Sequence, residues 1–290
     1  MDGIRLPEGV PVCPFGSRAP GRASLARNME VPMKSLAWSL LILLAAAPVW
    51  AAVHTETVEY KQDSAVLEGY LAYDEAAAGR RPGVLVVHEW KGITPYEKKR
   101  AEQLAALGYV AFVADIYGKG VRPATNEEAG KVSGMYRSNR GLLRLRALAG
   151  LDVLKGFSRT DAGRIAAIGY CFGGTTVLEL ARSGAELSGV VTFHGVLDTP
   201  NPGDAKNIKG KVLVLTGADD PFVPEAQRVA FQDEMEKAGV DWQMVLYGAA
   251  VHSFTNPASG NNPSTGAAYN EKADKRSWEA MRLFFNEIFR

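Results

Sequence analysis

Apolar and polar positions alternate at Thr57–Tyr60 and again at Val66–Leu71, the period-two signature of half-buried strands, and we expect an antiparallel hairpin pair there. Gly83–Val87 and Val110–Ala114 are instead unbroken apolar runs, as in strands covered on both faces. Between them, Pro95 to Leu107 sets Ala101, Leu104, Ala105 and Leu107 among charged residues and stops at Gly108, which predicts an amphipathic helix closed by glycine. The same reading gives helices at Leu142–Leu154, Phe172–Arg182, Pro224–Ala238 and Lys272–Ile288. Strands are expected at Arg164–Tyr170, Gly189–Phe193, Lys211–Thr216 and Asp241–Leu246. Strands separated by single helices need right-handed crossovers and a mostly parallel sheet. The expected fold class is therefore α/β, doubly wound, with helices on both faces. Asp115–Ser133 and Thr255–Tyr269 show no periodicity and read as long loops of the kind that cover binding sites.

The N-terminus follows a different pattern. Met33–Lys34 precedes an apolar stretch from Leu36 to Ala47, and Val49–Trp50–Ala51 has the small-x-small form of a secretory cleavage site. We read residues 33–51 as a signal peptide and expect a secreted or periplasmic protein. Pro48 and the shortness of the run make an uncleaved membrane anchor the weaker reading. Residues 1–32, rich in Pro, Gly and Arg, read as an upstream tail or a misassigned start, which leaves 52–290 as a single domain.

Composition narrows the function classes. The chain has 290 residues, 47% apolar and 22% charged, with a formal net charge of +1, so nothing marks a nucleic-acid footprint. Of the two cysteines, Cys13 lies ahead of the signal peptide, so a cleaved protein keeps only Cys171 and cannot form an internal disulfide. No His/Cys/Asp cluster has metal-ligand spacing, and neither a metal nor a cofactor is expected.

The remaining thiol stands in Gly169-Tyr-Cys171-Phe-Gly173-Gly174, between an apolar strand and an amphipathic helix. Glycines on either side of a residue at a sharp strand-to-helix turn form a nucleophile elbow, here with Cys where Ser is commoner. The helix N-terminus favours thiolate, and the Phe172 amide becomes an oxyanion donor. This elbow calls for an acid and then a histidine later in the chain. Asp220 follows the strand Lys211–Thr216, and His252 follows Asp241–Leu246, both at strand C-terminal ends where open α/β sheets bind ligands. Asp219 reads as a solvated turn acid, and His54, His88 and His194 as structural residues.

These segments together resemble the dienelactone hydrolase family over residues 56 to 288. Gly-Tyr-Cys171-Phe-Gly-Gly is similar to its nucleophile motif, Gly217-Ala-Asp-Asp220-Pro-Phe-Val-Pro224 to its acid motif, and His252-Ser-Phe to its histidine motif. His88-Glu89-Trp90-Lys91-Gly92 resembles the segment whose glutamate holds the resting cysteine and takes the thiol proton once substrate binds. The resemblance thus implies an α/β-hydrolase fold, a catalytic Glu89 and a second oxyanion amide at Trp90. Glu89, at the end of a buried strand, is also placed by desolvation to accept a proton. The basic residues with which the family holds a substrate carboxylate have no clear match; Lys131, Arg137 and Arg140 are available, and Tyr117 and Arg137 are the substrate-binding candidates. Asp115-Ile-Tyr117-Gly-Lys119-Gly and His252-Ser-Phe-Thr-Asn-Pro257 resemble exported members of the family.

The resulting expectation is an exported, cofactor-free hydrolase of small-molecule esters or lactones, with thioesters also open, acting through Cys171, His252 and Asp220 and needing no nucleic-acid or membrane partner. It would be a monomer or a small homo-oligomer. The competing expectation is a non-hydrolytic redox or binding protein that uses Cys171 as an oxidisable thiol.

Overall fold

The computed structural model describes residues 52–290; the expected signal peptide and the segment before it lie outside the described residues. The alternating segments form a longer hairpin than expected, β1 (Val53–Gln62) with β2 (Ala65–Asp74), turned at Asp63 with φ of 52°. The unbroken apolar runs form β3 (Arg81–Val87), β4 (Val110–Ala114), β5 (Thr160–Tyr170), β6 (Gly189–Phe193) and β7 (Lys211–Gly217). With β8 (Trp242–Tyr247) they make one sheet in the order β1-β2-β4-β3-β5-β6-β7-β8. The hairpin is antiparallel to its neighbour β4, and β3 to β8 run parallel.

Parallel strands bury both faces, and two apolar layers result. One lies under α3 (Arg140–Gly156), α4 (Phe172–Arg182) and α5 (Glu225–Ala238), through Leu143, Val177 and Phe231. The other lies under α1 (Pro95–Ala106) and α6 (Glu271–Ile288), through Ala101, Leu104, Met281 and Phe285. Among the described residues no helix is long and apolar enough to cross a membrane.

The expected loop Asp115–Ser133 is corrected in its second half, where α2 spans Asn126–Ser138. Thr125 and Glu128 start it with a reciprocal capping box, a signal present in the sequence as Thr-x-x-Glu. Periodicity missed it because only Ala129, Ser133 and Tyr136 are buried, too few to draw an apolar stripe. Thr255–Tyr269 has no long helix; it carries two single 3-10 turns, Pro257–Ser259 and Pro263–Thr265, and is tied back by a bridge between His252 and Ala267.

At the C-terminal end of α4 the Arg182 guanidinium is wholly buried. It pairs with Glu179 at 3.0 Å and Glu234 at 2.8 Å and reaches the Leu197 carbonyl. Arg144 extends this network to Glu179 and Asp204.

Candidate active site

The C-terminal ends of β3, β5, β6, β7 and β8 converge, and each delivers one polar side chain: Glu89, Cys171, His194, Asp220 and His252. The β5–α4 turn is sterically constrained. Cys171 sits at φ 53°, ψ −114°, a strained conformation for a residue with a Cβ, while a Cβ on Gly169 would overlap the Gly173 carbonyl and one on Gly173 would overlap the Val87 carbonyl. The glycines let the helix approach the sheet, and the turn lifts the sulfur above it. α4 begins at Phe172, so that amide has no intrahelical acceptor and is free to face a developing oxyanion.

The Cys171 sulfur lies 3.0 Å from His252 Nε2, and His252 Nδ1 lies 2.9 Å from Asp220 Oδ2. The other Asp220 oxygen accepts the Phe222 amide at 2.8 Å, which fixes the carboxylate in its turn. Asp219, next to it, is exposed. All three linked side chains are buried. Burial alone would discharge the imidazole; the adjoining sulfur and the Asp220 carboxylate outweigh it and push His252 up to about 10. The His252 ring is held edge-on between His194 and Phe222, with centroids at 5.3 and 5.0 Å.

Glu89 is at the site but does not hold the sulfur. Its Oε1 accepts the Ser253 hydroxyl at 3.1 Å and its Oε2 the Asn256 amide at 2.6 Å, whereas the thiol faces His252. The contact implied by the family resemblance, glutamate to resting cysteine, is therefore replaced by one between glutamate and the loop that follows His252. Burial raises the Glu89 pKa, and the Asn256 amide and His252 charge act against that rise. Its own amide donates to Glu97 Oε1 at 3.0 Å. Glu97 also accepts from Thr94 at the start of α1, and burial with the nearby Glu89 charge moves it up to about 7. Trp90 follows on the cavity wall.

A cavity of about 660 Å³ opens over the sulfur, bounded by Glu89, Trp90, Arg137, Phe222, Asn256 and Ala267 among others. Arg137, from the last turn of α2, lines it, and its buried Nε has no hydrogen-bond partner among the described residues. Tyr117 stands behind the wall: its ring packs on His88, Tyr136 and Phe172, and its hydroxyl donates to the Trp90 carbonyl at 2.9 Å. It can orient Trp90 but does not line the cavity. Arg140 is drawn to Asp198 at 3.2 Å, and Lys131 is exposed on α2. His88 is internal, its ring bonded to the Glu89 carbonyl and the Ile116 amide. Among the described residues no group of three or more His, Cys, Asp or Glu could hold a metal ion.

Against known proteins, the dienelactone hydrolase family matches residues 67–289. The chain belongs to that family. A solved structure named m3DLH superposes with a TM-score of 0.79 at 42% identity, covering 82% of this chain and 99% of that one. A dienelactone hydrolase-like promiscuous phosphotriesterase from metagenomic libraries gives 0.77 at 40%, covering 81% and 98%. The protein usf of Aquifex pyrophilus is 27% identical over 237 residues, 80% of this chain and 98% of its own. As a dienelactone hydrolase family member the protein is a hydrolase with the α/β-hydrolase architecture.

Sequence reasoning missed Ser253, Asn256, Glu97 and the pair His194 and Thr255. Only Glu97 carried a local signal, the Thr94-x-x-Glu97 capping box. The others matter through partners far away in the chain, which no spacing reveals.

Proposed function

We propose that this dienelactone hydrolase family member cleaves ester or lactone bonds of small molecules, with thioesters as a further substrate class, through an acyl-enzyme on Cys171. The observation that supports it is the short path from Asp220 through both nitrogens of His252 to a sulfur at the floor of a cavity. With the proton on the imidazole, the sulfur attacks the carbonyl carbon as thiolate and forms the S–C bond. The tetrahedral oxyanion is received by the Phe172 amide at the α4 N-terminus and by the Trp90 amide. His252 then gives its proton to the departing alkoxide and the C–O bond breaks; in a lactone that oxygen stays tethered to the acyl group. In the second half His252 takes a proton from water, the hydroxide displaces the sulfur, and acid is released. Asp220 keeps Nδ1 protonated, so Nε2 is the nitrogen that exchanges the proton.

Arg137 supplies the one guanidinium we assign to substrate, as donor to an acyl or carboxylate oxygen, with Tyr117 acting behind it through Trp90. Residues 33–51 are proposed to direct export, which leaves the mature protein in a secreted or periplasmic setting.

The test is a hydrolysis screen of lactones, p-nitrophenyl esters and thioesters with wild type beside Cys171→Ala. Turnover should vanish in the variant, and mass spectrometry of a slow substrate should find the acyl group on the Cys171 peptide. Undiminished turnover by Cys171→Ala, or an adduct elsewhere, overturns the mechanism.

A further inference from the structure

His194 is fully buried, with a positive φ of 41°, at the end of β6 beside the elbow. Its Nδ1 lies 3.1 Å from the Cys171 backbone nitrogen, which also faces the Phe193 carbonyl at 3.0 Å. Its Nε2 lies 2.7 Å from the Thr255 hydroxyl oxygen. Thr255 is itself locked: its hydroxyl meets the Tyr96 hydroxyl at 2.6 Å, and its carbonyl accepts Arg100 at 2.9 Å. Arg100 is packed against the rings of Tyr96, Tyr170 and Trp278 and paired with Asp274.

The proton positions follow from donor chemistry. A backbone amide can only donate, so Nδ1 must offer a lone pair to Cys171. A neutral imidazole with a bare Nδ1 carries its proton on Nε2, and Nε2 therefore donates to Thr255. A charged His194 would turn an N–H toward the Cys171 N–H and lose that bond. Burial, the neighbouring His252 charge and Arg100 all keep the ring neutral.

We propose that His194 is a positioning residue for the nucleophile: held as the Nε2–H tautomer by Thr255, it pins the Cys171 amide and so sets where the sulfur and the Phe172 oxyanion amide point. Thr255 belongs to the same short segment as His252, Ser253 and Asn256, so one loop sets the imidazole, the Glu89 carboxylate and, through His194, the elbow backbone. The inference rests on Cys171 being the nucleophile. Its effect is on geometry in the reacting state, where misplacement by about 1 Å can lower a rate roughly 100-fold.

The variants separate the two bonds. His194→Asn keeps an acceptor near the Nδ1 position and tolerates a positive φ. His194→Gln keeps reach toward Thr255 but loses the amide contact, and Thr255→Val leaves the tautomer unanchored while keeping the shape. Expected are a fall in kcat of about 10- to 100-fold at nearly constant KM in His194→Gln, a smaller fall in Thr255→Val, and recovery of most activity in His194→Asn and Thr255→Ser. NMR of isotope-labelled histidine in the wild type should find His194 neutral with the proton on Nε2, and partly exchanged to Nδ1 in Thr255→Val. That readout does not depend on turnover, so it stands apart from the Cys171→Ala test of the mechanism. A proton on His194 Nδ1 in the wild type, or equal kcat in His194→Gln and His194→Asn, overturns the proposal.

Discussion

Glu89 and Asn256 are joined by a 2.6 Å hydrogen bond from the side-chain amide to Oε2, across 167 positions of sequence. The bond turns the carboxylate away from the sulfur and leaves Cys171 to His252. On the proposed mechanism the base that serves the thiol is then the imidazole, with Glu89 acting by its charge and by holding the His252 loop. Glu89→Gln should slow acylation by less than about 10-fold, below the roughly 100-fold typical of a lost general base. Free wild-type enzyme should alkylate rapidly with iodoacetamide at neutral pH. Single-turnover acylation and the alkylation rate check this; slow alkylation of the free enzyme with a loss above about 100-fold in Glu89→Gln would return the proton transfer to the glutamate.

The imidazole of His252 should keep its proton well above neutrality. Its value is raised from the ordinary 6.5 to about 10, so the charged form persists at pH 7 and is lost only as pH rises through about 10. Burial opposes the charge, and the sulfur is the strongest of the groups that favour it. In Cys171→Ala the ring should therefore titrate at lower pH, with Asp220 left as the main group opposing burial. Histidine NMR across this range measures both proteins, and an unchanged titration in Cys171→Ala would remove the sulfur as the cause.

Arg182, the last residue of the elbow helix, is buried and paired with Glu234 and Glu179, and Glu179 is shared with Arg144. Arg182→Leu leaves the Glu234 carboxylate buried without its partner, which is worth about 3–5 kcal/mol for a broken buried pair. The midpoint of urea unfolding should drop accordingly. Arg182→Leu combined with Glu234→Leu should recover part of the loss, because the orphaned charge is removed along with its partner. A double variant no more stable than the single one would assign the loss to packing.

Export is checked directly. N-terminal sequencing of protein from its native host should begin at or near Ala52. Soluble cytoplasmic protein that retains residues 33–51 would refute it.

The sequence by itself determined the class of fold and the chain positions of the groups proposed to react. Unbroken apolar runs such as Val84–Val87 and the glycines around Cys171 act over a few residues, through backbone sterics and burial on two faces, so they are legible without partners. The order Cys171, Asp220, His252 is likewise a property of the chain alone. α2 was hidden because its surface is polar, though its capping box was in view. Only the tertiary structure decided which side chains take which bonds. Glu89 could face the sulfur or Asn256, and His194 reads as an ordinary core histidine until Cys171 and Thr255 are seen on its two nitrogens. Such choices are made between segments that meet at the ends of the parallel strands. Donor geometry and desolvation there depend on neighbours from every loop at once, and no local pattern encodes them.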